Sequence, residues 1–239
     1  MDASNLLDAD LTLDLACANR ILYDQDIVDG LGHVSVRHPT QAGLFLLSCN
    51  RAPGLVRPSD IVCYDLDGQA VSETTERPYL ERFIHGEIYR MRPDVMSVVH
   101  SHSLSVIPFG ATQRPLRPIF HMAGFLAEGT AHFDIQDEWG DTDMLIRDRY
   151  LGASLAKSLG DCSCVLMRGH GSTVVGNSLQ QAVYRAIYTE INAKLATQAL
   201  ALGEVKYLSS VEAMLAAQTN DGQIQRSWNL WKSRIGSIE

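Results

Sequence analysis

The sequence predicts an α/β fold in which a β-sheet, antiparallel over the first third of the chain, packs against helices. Short apolar runs bounded by glycine and by an Asp-Gly pair indicate strands joined by tight turns. Longer segments carry apolar residues at helical spacing. No repeat, low-complexity tract or linker interrupts the sequence, so we expect one domain over residues 1–239.

The first third consists of one helix followed by strands. An amphipathic stripe over residues 8–28 predicts a helix that ends at Asp29-Gly30. Further on, Asp67-Gly68 predicts a two-residue hairpin turn. The strands predicted in this segment cover residues 32–37, 44–48, 61–64 and, after the turn, 69–72. We therefore expect an antiparallel sheet behind one helix.

The rest of the chain alternates helices with short strands. Leu80, Ile84 and Ile88 follow helical spacing, and Pro93 ends that segment. The predicted helices cover residues 78–91, 105–110, 148–159 and 178–202, with two shorter ones after them. The predicted strands cover residues 95–99, 131–135, 143–146 and 164–167.

The acidic composition argues against nucleic acid or an anionic membrane as the main partner. The chain has 28 acidic and 20 basic residues, a formal net charge of −8, and no cluster of Lys and Arg. The N-terminus lacks a signal-peptide pattern, and no run of about 18 apolar residues occurs. Five cysteines form no disulfide framework. We predict a cytoplasmic protein whose partner is a small molecule.

Three histidines and one glutamate carry the strongest functional signal. His100 and His102 end a buried strand, and alternate residues of a strand point to the same face. His170 stands between two glycines, which let the backbone approach another element closely. Glu81 and His85, four residues apart on a helix, could face a cleft. Three neutral imidazoles and a carboxylate suit Zn, Mn, Fe or Co, although His-x-His alone also fits polar residues at a strand end.

This arrangement of Glu81, His100-x-His102 and His170 resembles the class II aldolase/adducin family over nearly the whole chain. The resemblance implies a three-layer fold with a central, mostly antiparallel β-sheet flanked by helices. It also implies one divalent metal ion per subunit, held by Glu81, His100, His102 and His170. A homotetramer with its sites at subunit interfaces is a further implication.

Three segments depart from the pattern of the sugar-phosphate aldolases of that family, whose Gly-Asn-x-Ser, Thr-Gly and Ser-Ser motifs cradle a phosphate. The corresponding segments here are Gly32-His33-Val34-Ser35, Ser48-Cys49 and Tyr79-Leu80. Without those donors a phosphate dianion lacks compensation for its lost hydration, whereas a histidine and an aromatic ring suit a planar substrate. The residues predicted to contact the substrate are Ser35, Ser48, Tyr79 and Arg168.

The strings at residues 32–37 and 167–172 resemble the branch of the family that contains decarboxylases of hydroxylated aromatic dicarboxylates. The resemblance implies a carboxy-lyase in which the metal acts as a Lewis acid. Glu81 would handle the proton if a partly apolar wall raises its pKa. His33 and His121 are second candidates for proton transfer or for binding a carboxylate, or else a strand-end and a core histidine.

Three other functions fit parts of the pattern. A metal-dependent aldolase that acts on a non-phosphorylated hydroxy acid or keto acid would use the same metal and Glu81. An oxygenase with iron at these histidines would require O2. Adducin-like members act as binding modules without catalysis, and the presence of all four metal-site residues disfavours that function here.

Overall fold

One seven-stranded sheet lies at the centre of the computed structural model, which describes residues 7–71 and 74–238. The strand order is β3-β2-β1-β4-β7-β6-β5, and every neighbouring pair is antiparallel except β5 and β6. The strands are β1 (His33–Arg37), β2 (Leu44–Ser48), β3 (Ile61–Asp65), β4 (Ser97–Ser101), β5 (Ala131–Phe133), β6 (Cys164–Met167) and β7 (Gly171–Gly176). The predicted mostly antiparallel sheet is confirmed.

Helices cover both faces of this sheet. Those in the described ranges are α1 (Ala9–Asp24), α2 (Arg82–Met91), α3 (Ile107–Thr112), α4 (Ile135–Trp139), α5 (Arg149–Leu159), α6 (Leu179–Leu202), α7 (Ser210–Asp221) and α8 (Ile224–Ile235). A 3-10 helix spans His121–Leu126. Helices α1, α6 and α8 contribute to one hydrophobic cluster, and α2 and α5 to another.

Alternation along the strands separates these two clusters. Val99 packs with α1 and α6, whereas its neighbour Val98 packs with α2 and α5. The same alternation occurs at Val174 and Val175 in β7. Because successive side chains of a strand point to opposite faces, each central strand contributes to both clusters, and the result is a three-layer arrangement.

Several predicted boundaries are wrong. Helix α1 ends at Asp24, since the backbone turns left-handed at Asp26, where φ is +57°. Residues 143–146 form a loop rather than a strand. After the Asp67-Gly68 turn only an isolated bridge joins Tyr64 to Ala70, so no returning strand forms in the described part, and position 72 lies outside it.

None of the described helices combines the length and the apolar character needed to cross a membrane.

Candidate metal centre

The four predicted metal ligands meet at one end of the central strands. His100 lies in β4 and His102 follows that strand directly, while Glu81 immediately precedes α2. His170 lies in the turn between β6 and β7. Antiparallel pairing places His100 opposite Thr173 of β7, so the start of β7 and the turn before it adjoin the end of β4.

Glycines on both sides of His170 make this approach possible. Gly169 has a φ of +65°, a conformation that residues with a Cβ rarely adopt. At Gly171 a Cβ would overlap the carbonyl oxygen of Ser101. The predicted close approach at these glycines is therefore present, between β7 and β4.

The donor atoms of the four side chains form a tight group. All four lie within 4.8 Å of one another. Nε2 of His102 is 3.3 Å from Nε2 of His100 and 3.1 Å from Nε2 of His170. Oε2 of Glu81 is 3.7 Å from Nε2 of His100 and 3.6 Å from Nε2 of His170. Four side chains from three separate parts of the chain thus present lone-pair atoms to one point.

Hydrogen bonds outside the group orient His100. The hydroxyl of Thr173 donates to the sulfur of Met167 at 3.5 Å, and its oxygen lies 3.2 Å from Nδ1 of His100. The Thr173 oxygen therefore accepts from the Nδ1–H of His100, which leaves Nε2 unprotonated and facing the group. This is the tautomer that a metal ligand requires, fixed by a neighbour in the usual way.

The electrostatics also suit a cation. Burial lowers the pKa of His100 well below its ordinary value and also lowers that of His102. For Glu81, burial alone would raise the pKa, but hydrogen bonding to His170 and the nearby His100 imidazole lower it. A further hydrogen bond comes from the backbone N–H of Ile146, 2.9 Å from Oε1. Glu81 is therefore ionised, and the raised pKa that the sequence-based mechanism required is wrong.

The chemistry of these four donors fits a divalent metal ion. Three buried or half-buried imidazoles and an ionised carboxylate converge without a lysine or arginine in the group. Such an N3O set matches catalytic sites for Zn and for related transition metals. In addition, Nδ1 of His170 is buried without a hydrogen-bond partner in the described residues.

A cavity of about 250 Å³ lies beside the group. Glu81 and His102 form part of its wall, and Tyr79 and His33 form an aromatic side with ring centroids 4.8 Å apart. The remaining lining residues are Leu31, Gly32, Asn50, Leu80 and Leu145. The cavity thus combines two of the metal-site residues with mainly apolar and planar surfaces.

Of the four predicted substrate-binding residues, only Tyr79 lines this cavity. Ser35 is buried and bonds to His85, and Ser48 is buried with its hydroxyl 3.3 Å from that of Tyr79. The guanidinium of Arg168 pairs with Asp134. These three residues are engaged within the protein, so their substrate-binding roles stay predictions.

His33 and His85 form a pair that the sequence reasoning did not find. Nδ1 of His33 is 2.6 Å from Nε2 of His85, and both side chains are buried. The sequence predicts that His85 could face a cleft together with Glu81, whereas its side chain is fully buried against His33 of β1. The spacing of His85 four residues after Glu81 was the available signal, because it places both on one side of a helix.

His121 has a different environment from the four candidate ligands. It is exposed at the start of its 3-10 helix, and its ring contacts Phe120 with centroids 6.2 Å apart. Within the described residues, no hydrogen bond or ring contact joins it to the four candidate ligands. Its predicted catalytic role is not supported by contacts within one chain.

Comparison with known proteins identifies the class. Residues 13–197 match the family model described as class II aldolase and adducin N-terminal domain. This match covers more than half of the chain, so the chain belongs to the class II aldolase and adducin family.

Two relatives and one solved structure illustrate the similarity. Decarboxylase tropJ of Talaromyces stipitatus is 39% identical, with 90% of each chain covered. The 3,4-dihydroxyphthalate decarboxylase of Arthrobacter keyseri is 33% identical over 79% of this chain and 78% of its own length. An aldolase II superfamily protein from Pseudomonas syringae superposes with a TM-score of 0.80 at 22% identity, with 98% of this chain and 95% of that one covered.

These similarities confirm the predicted family and the predicted fold. They also confirm that the chain is a lyase of carbon–carbon bonds.

Proposed function

We propose that this protein is a divalent-metal-dependent decarboxylase of a hydroxylated aromatic dicarboxylate. The observation that carries the proposal is the convergence of Glu81, His100, His102 and His170 beside a cavity with planar and apolar walls. The two relatives named as decarboxylases support this choice within the family.

Glu81, His100, His102 and His170 would hold the metal. Bound there, a divalent cation would supply Lewis acidity and offset the negative charge of a substrate hydroxyl and carboxylate. The protein contributes ligands in suitable protonation states: burial lowers the pKa of His100 and His102, Nε2 of His100 is free because Nδ1 donates to Thr173, and Glu81 is ionised.

The cavity walls fit an aromatic ring. Tyr79 and His33 present planar groups on one side, and Leu31, Leu80 and Leu145 provide apolar surface. Burial of an aromatic ring against such surfaces is favourable and selects planar ligands. A sugar phosphate would find little compensation here for its lost hydration.

A second substrate carboxylate would be held by neutral donors. The arginines near the motifs are occupied: Arg51 pairs with Asp60, Arg82 bonds to backbone carbonyls, and Arg168 pairs with Asp134. Of the described residues that line the cavity, none is a lysine or arginine. The side chains of His33 and Asn50 offer the N–H groups available for this purpose.

Glu81 would move the proton. Glu81 would be a metal ligand in the resting enzyme and would move aside when the substrate binds, so that its ionised carboxylate can accept the proton of the substrate hydroxyl. When the bond to the carboxylate breaks and CO2 leaves, the electron pair stays on the ring carbon, and Glu81 returns the proton to that carbon. The net change is transfer of one proton from oxygen to carbon and release of CO2.

We also propose that the chain assembles with further copies around this cavity. Leu31 and Leu80 at the cavity are 61% and 60% exposed, and Leu104, two residues after His102, is 80% exposed. Exposed leucines beside one cavity, as Leu31 and Leu80 are, are typical of covered surfaces. Light scattering would show a tetramer, and a monomer would contradict the proposal.

The test measures metal and CO2 together. Protein purified with its metal would be analysed by mass spectrometry for Zn, Mn, Fe and Co. CO2 release would then be followed across hydroxylated pyridine and benzene ortho-dicarboxylates, with the matching monocarboxylates and aliphatic hydroxy acids as controls. The variant His100→Ala would be compared with His132→Ala, which replaces a histidine of strand β5 outside the group.

The outcomes separate the candidate reactions. Metal-dependent CO2 release from a ring dicarboxylate, lost in His100→Ala and kept in His132→Ala, supports the decarboxylase. Formation of pyruvate or an aldehyde without CO2 would support an aldolase of a non-phosphorylated acid instead.

A further inference from the structure

A line of buried polar groups runs from the cavity into the interior between β1 and α2. His33 and Ser35 lie on the same side of β1, because they are two residues apart. Facing them on α2 are His85 and Tyr89, four residues apart. The contacts are 2.6 Å from Nδ1 of His33 to Nε2 of His85, 2.6 Å from Nδ1 of His85 to Oγ of Ser35, and 2.7 Å from there to the hydroxyl of Tyr89.

The inner end of this line is closed. Tyr89 is 1% exposed, and the guanidinium of Arg37 lies over its ring at 4.7 Å. Arg37 itself bonds to backbone carbonyls, including that of Tyr89. Burial raises the pKa of Tyr89, so its hydroxyl keeps its proton. Burial also lowers the pKa of His85 to about 3, so this imidazole is neutral and carries a single N–H.

Because the Tyr89 hydroxyl and the His85 imidazole each carry one proton, the hydrogen bonds in this line run in one direction. Among the described residues, Ser35 is the one hydrogen-bond acceptor within reach of the Tyr89 hydroxyl. If the order ran the other way, the Tyr89 proton would be buried without an acceptor, which is costly. Tyr89 therefore donates to Ser35, and Ser35 donates to Nδ1 of His85. Nε2–H of His85 then donates to Nδ1 of His33.

We propose that Tyr89, Ser35 and His85 act as positioning residues that hold His33 in the Nε2–H tautomer, with this N–H presented to the cavity. Nδ1 of His33 is occupied as an acceptor, so its remaining ring nitrogen can only donate. His33 is accordingly a hydrogen-bond donor to a substrate oxygen and not a base. Its tilted contacts with the rings of Tyr79 and His100, with centroids at 4.8 and 5.1 Å, hold the ring plane.

The substrate part of this inference rests on the proposed function. A carboxylate or hydroxyl oxygen of an aromatic acid bound beside the metal site would accept the His33 N–H. Because the His33 ring is already oriented before the substrate binds, binding does not carry the cost of ordering that ring.

The tautomer itself is measured without substrate. Nitrogen-15 spectra of histidine-labelled, Zn²⁺-loaded protein at pH 7 distinguish a protonated from an unprotonated ring nitrogen, and the signals that disappear in His33→Gln identify this residue. We expect Nε2 protonated and Nδ1 unprotonated. A protonated Nδ1 would overturn the proposal, whatever reaction the enzyme catalyses.

A matched pair of variants tests the positioning role. His85→Gln keeps an N–H that can donate to His33, whereas His85→Met has similar length and no N–H. We expect kcat/KM within about threefold of the parent for Gln and at least tenfold lower for Met, mainly through KM, with the metal content of both unchanged. Equal kcat/KM in the two variants would overturn the role of His85.

A folding defect is separated by a second measurement. Thermal unfolding of both variants shows whether Met destabilises the protein more than Gln does. If His85→Met fails to fold, the nitrogen-15 spectra of the parent and of His85→Gln decide: the Nε2–H tautomer in both supports the proposal, and a change of tautomer in the Gln variant overturns it.

Discussion

The Nε2 atoms of His102 and His170 lie 3.1 Å apart, although 68 positions separate these residues in the sequence. Two imidazole nitrogens at this distance share at most one proton, and His100 approaches the same point. Such a cluster of lone pairs is stabilised by a cation.

Removal of one imidazole should therefore abolish tight metal binding. His170→Ala is expected to weaken Zn²⁺ affinity by more than about 100-fold, because loss even of a residue that only supports a ligand costs 10–100-fold. Isothermal titration with Zn²⁺ measures the effect, with His132→Ala as the control. Parent-like affinity in His170→Ala would remove His170 from the site.

Loss of the Glu81 carboxylate should affect turnover more than binding of the substrate. Glu81→Gln is expected to lower kcat by about 10²–10⁴-fold, the usual contribution of a proton-transferring group. Steady-state kinetics with metal added in excess measures the effect. Glu87→Gln on the helix that follows Glu81 is the control, since Glu87 pairs with Arg149 and does not line the cavity. Equal kcat in the two variants would show that Glu81 transfers no proton.

A methyl group at position 171 should disturb the pairing of β4 with β7. Gly171→Ala is expected to lower the free energy of unfolding by about 1–3 kcal/mol or more, because its Cβ overlaps the Ser101 carbonyl. Urea denaturation measures the change. Gly43→Ala is the matched control, since no atom of the described residues lies within 4 Å of a Cβ there. Similar stability of both variants would contradict the close approach.

Acid should destabilise the metal-free protein through its buried histidines. The folded protein keeps His85 neutral to about pH 3, whereas the unfolded chain takes up a proton near pH 6.5. The unfolded state thus binds more protons between these values, and stability falls as pH decreases from 6.5, by up to about 1.4 kcal/mol per pH unit for each such group. Denaturation between pH 7 and 5 should show that the free energy of unfolding depends less steeply on pH in His85→Gln than in the parent. An unchanged slope would mean that His85 is protonated in the folded protein.

Substitution of Arg168 should distinguish a structural role of this residue from a role in substrate binding. Its guanidinium pairs with Asp134, so Arg168→Ala is expected to change KM by less than about threefold. Asp134→Asn, which removes the partner, should behave alike. A KM at least tenfold higher in Arg168→Ala alone would establish the sequence-based role in substrate binding.

Local patterns were sufficient to predict most of the fold and the candidate ligands. Strand alternation placed His100 and His102 on one side, and the glycines beside His170 indicated the close approach that occurs at Ser101. The segment at residues 143–146 ends in three apolar residues that suit a strand, but the backbone N–H of Ile146 bonds to Glu81. That competing partner is remote in sequence.

The same limit explains why the partners of His85 and Arg168 could not be predicted from the sequence. The contact of His85 with His33 depends on α2 packing against β1, and no local pattern specifies that packing. The pairing of Arg168 with Asp134 depends on β5 lying parallel to β6, which places Phe133 opposite Met167. Both features follow from long-range topology.

The register of β4 against β7 links metal binding to correct folding of the sheet. A slip of one residue between these strands would turn His100 to the opposite layer, away from Glu81. On the proposed function, cation affinity would therefore arise only when the sheet has assembled in its correct register. During refolding, the time course of Zn²⁺ capture should report when this central pairing is completed, separately from the collapse of the helices around it.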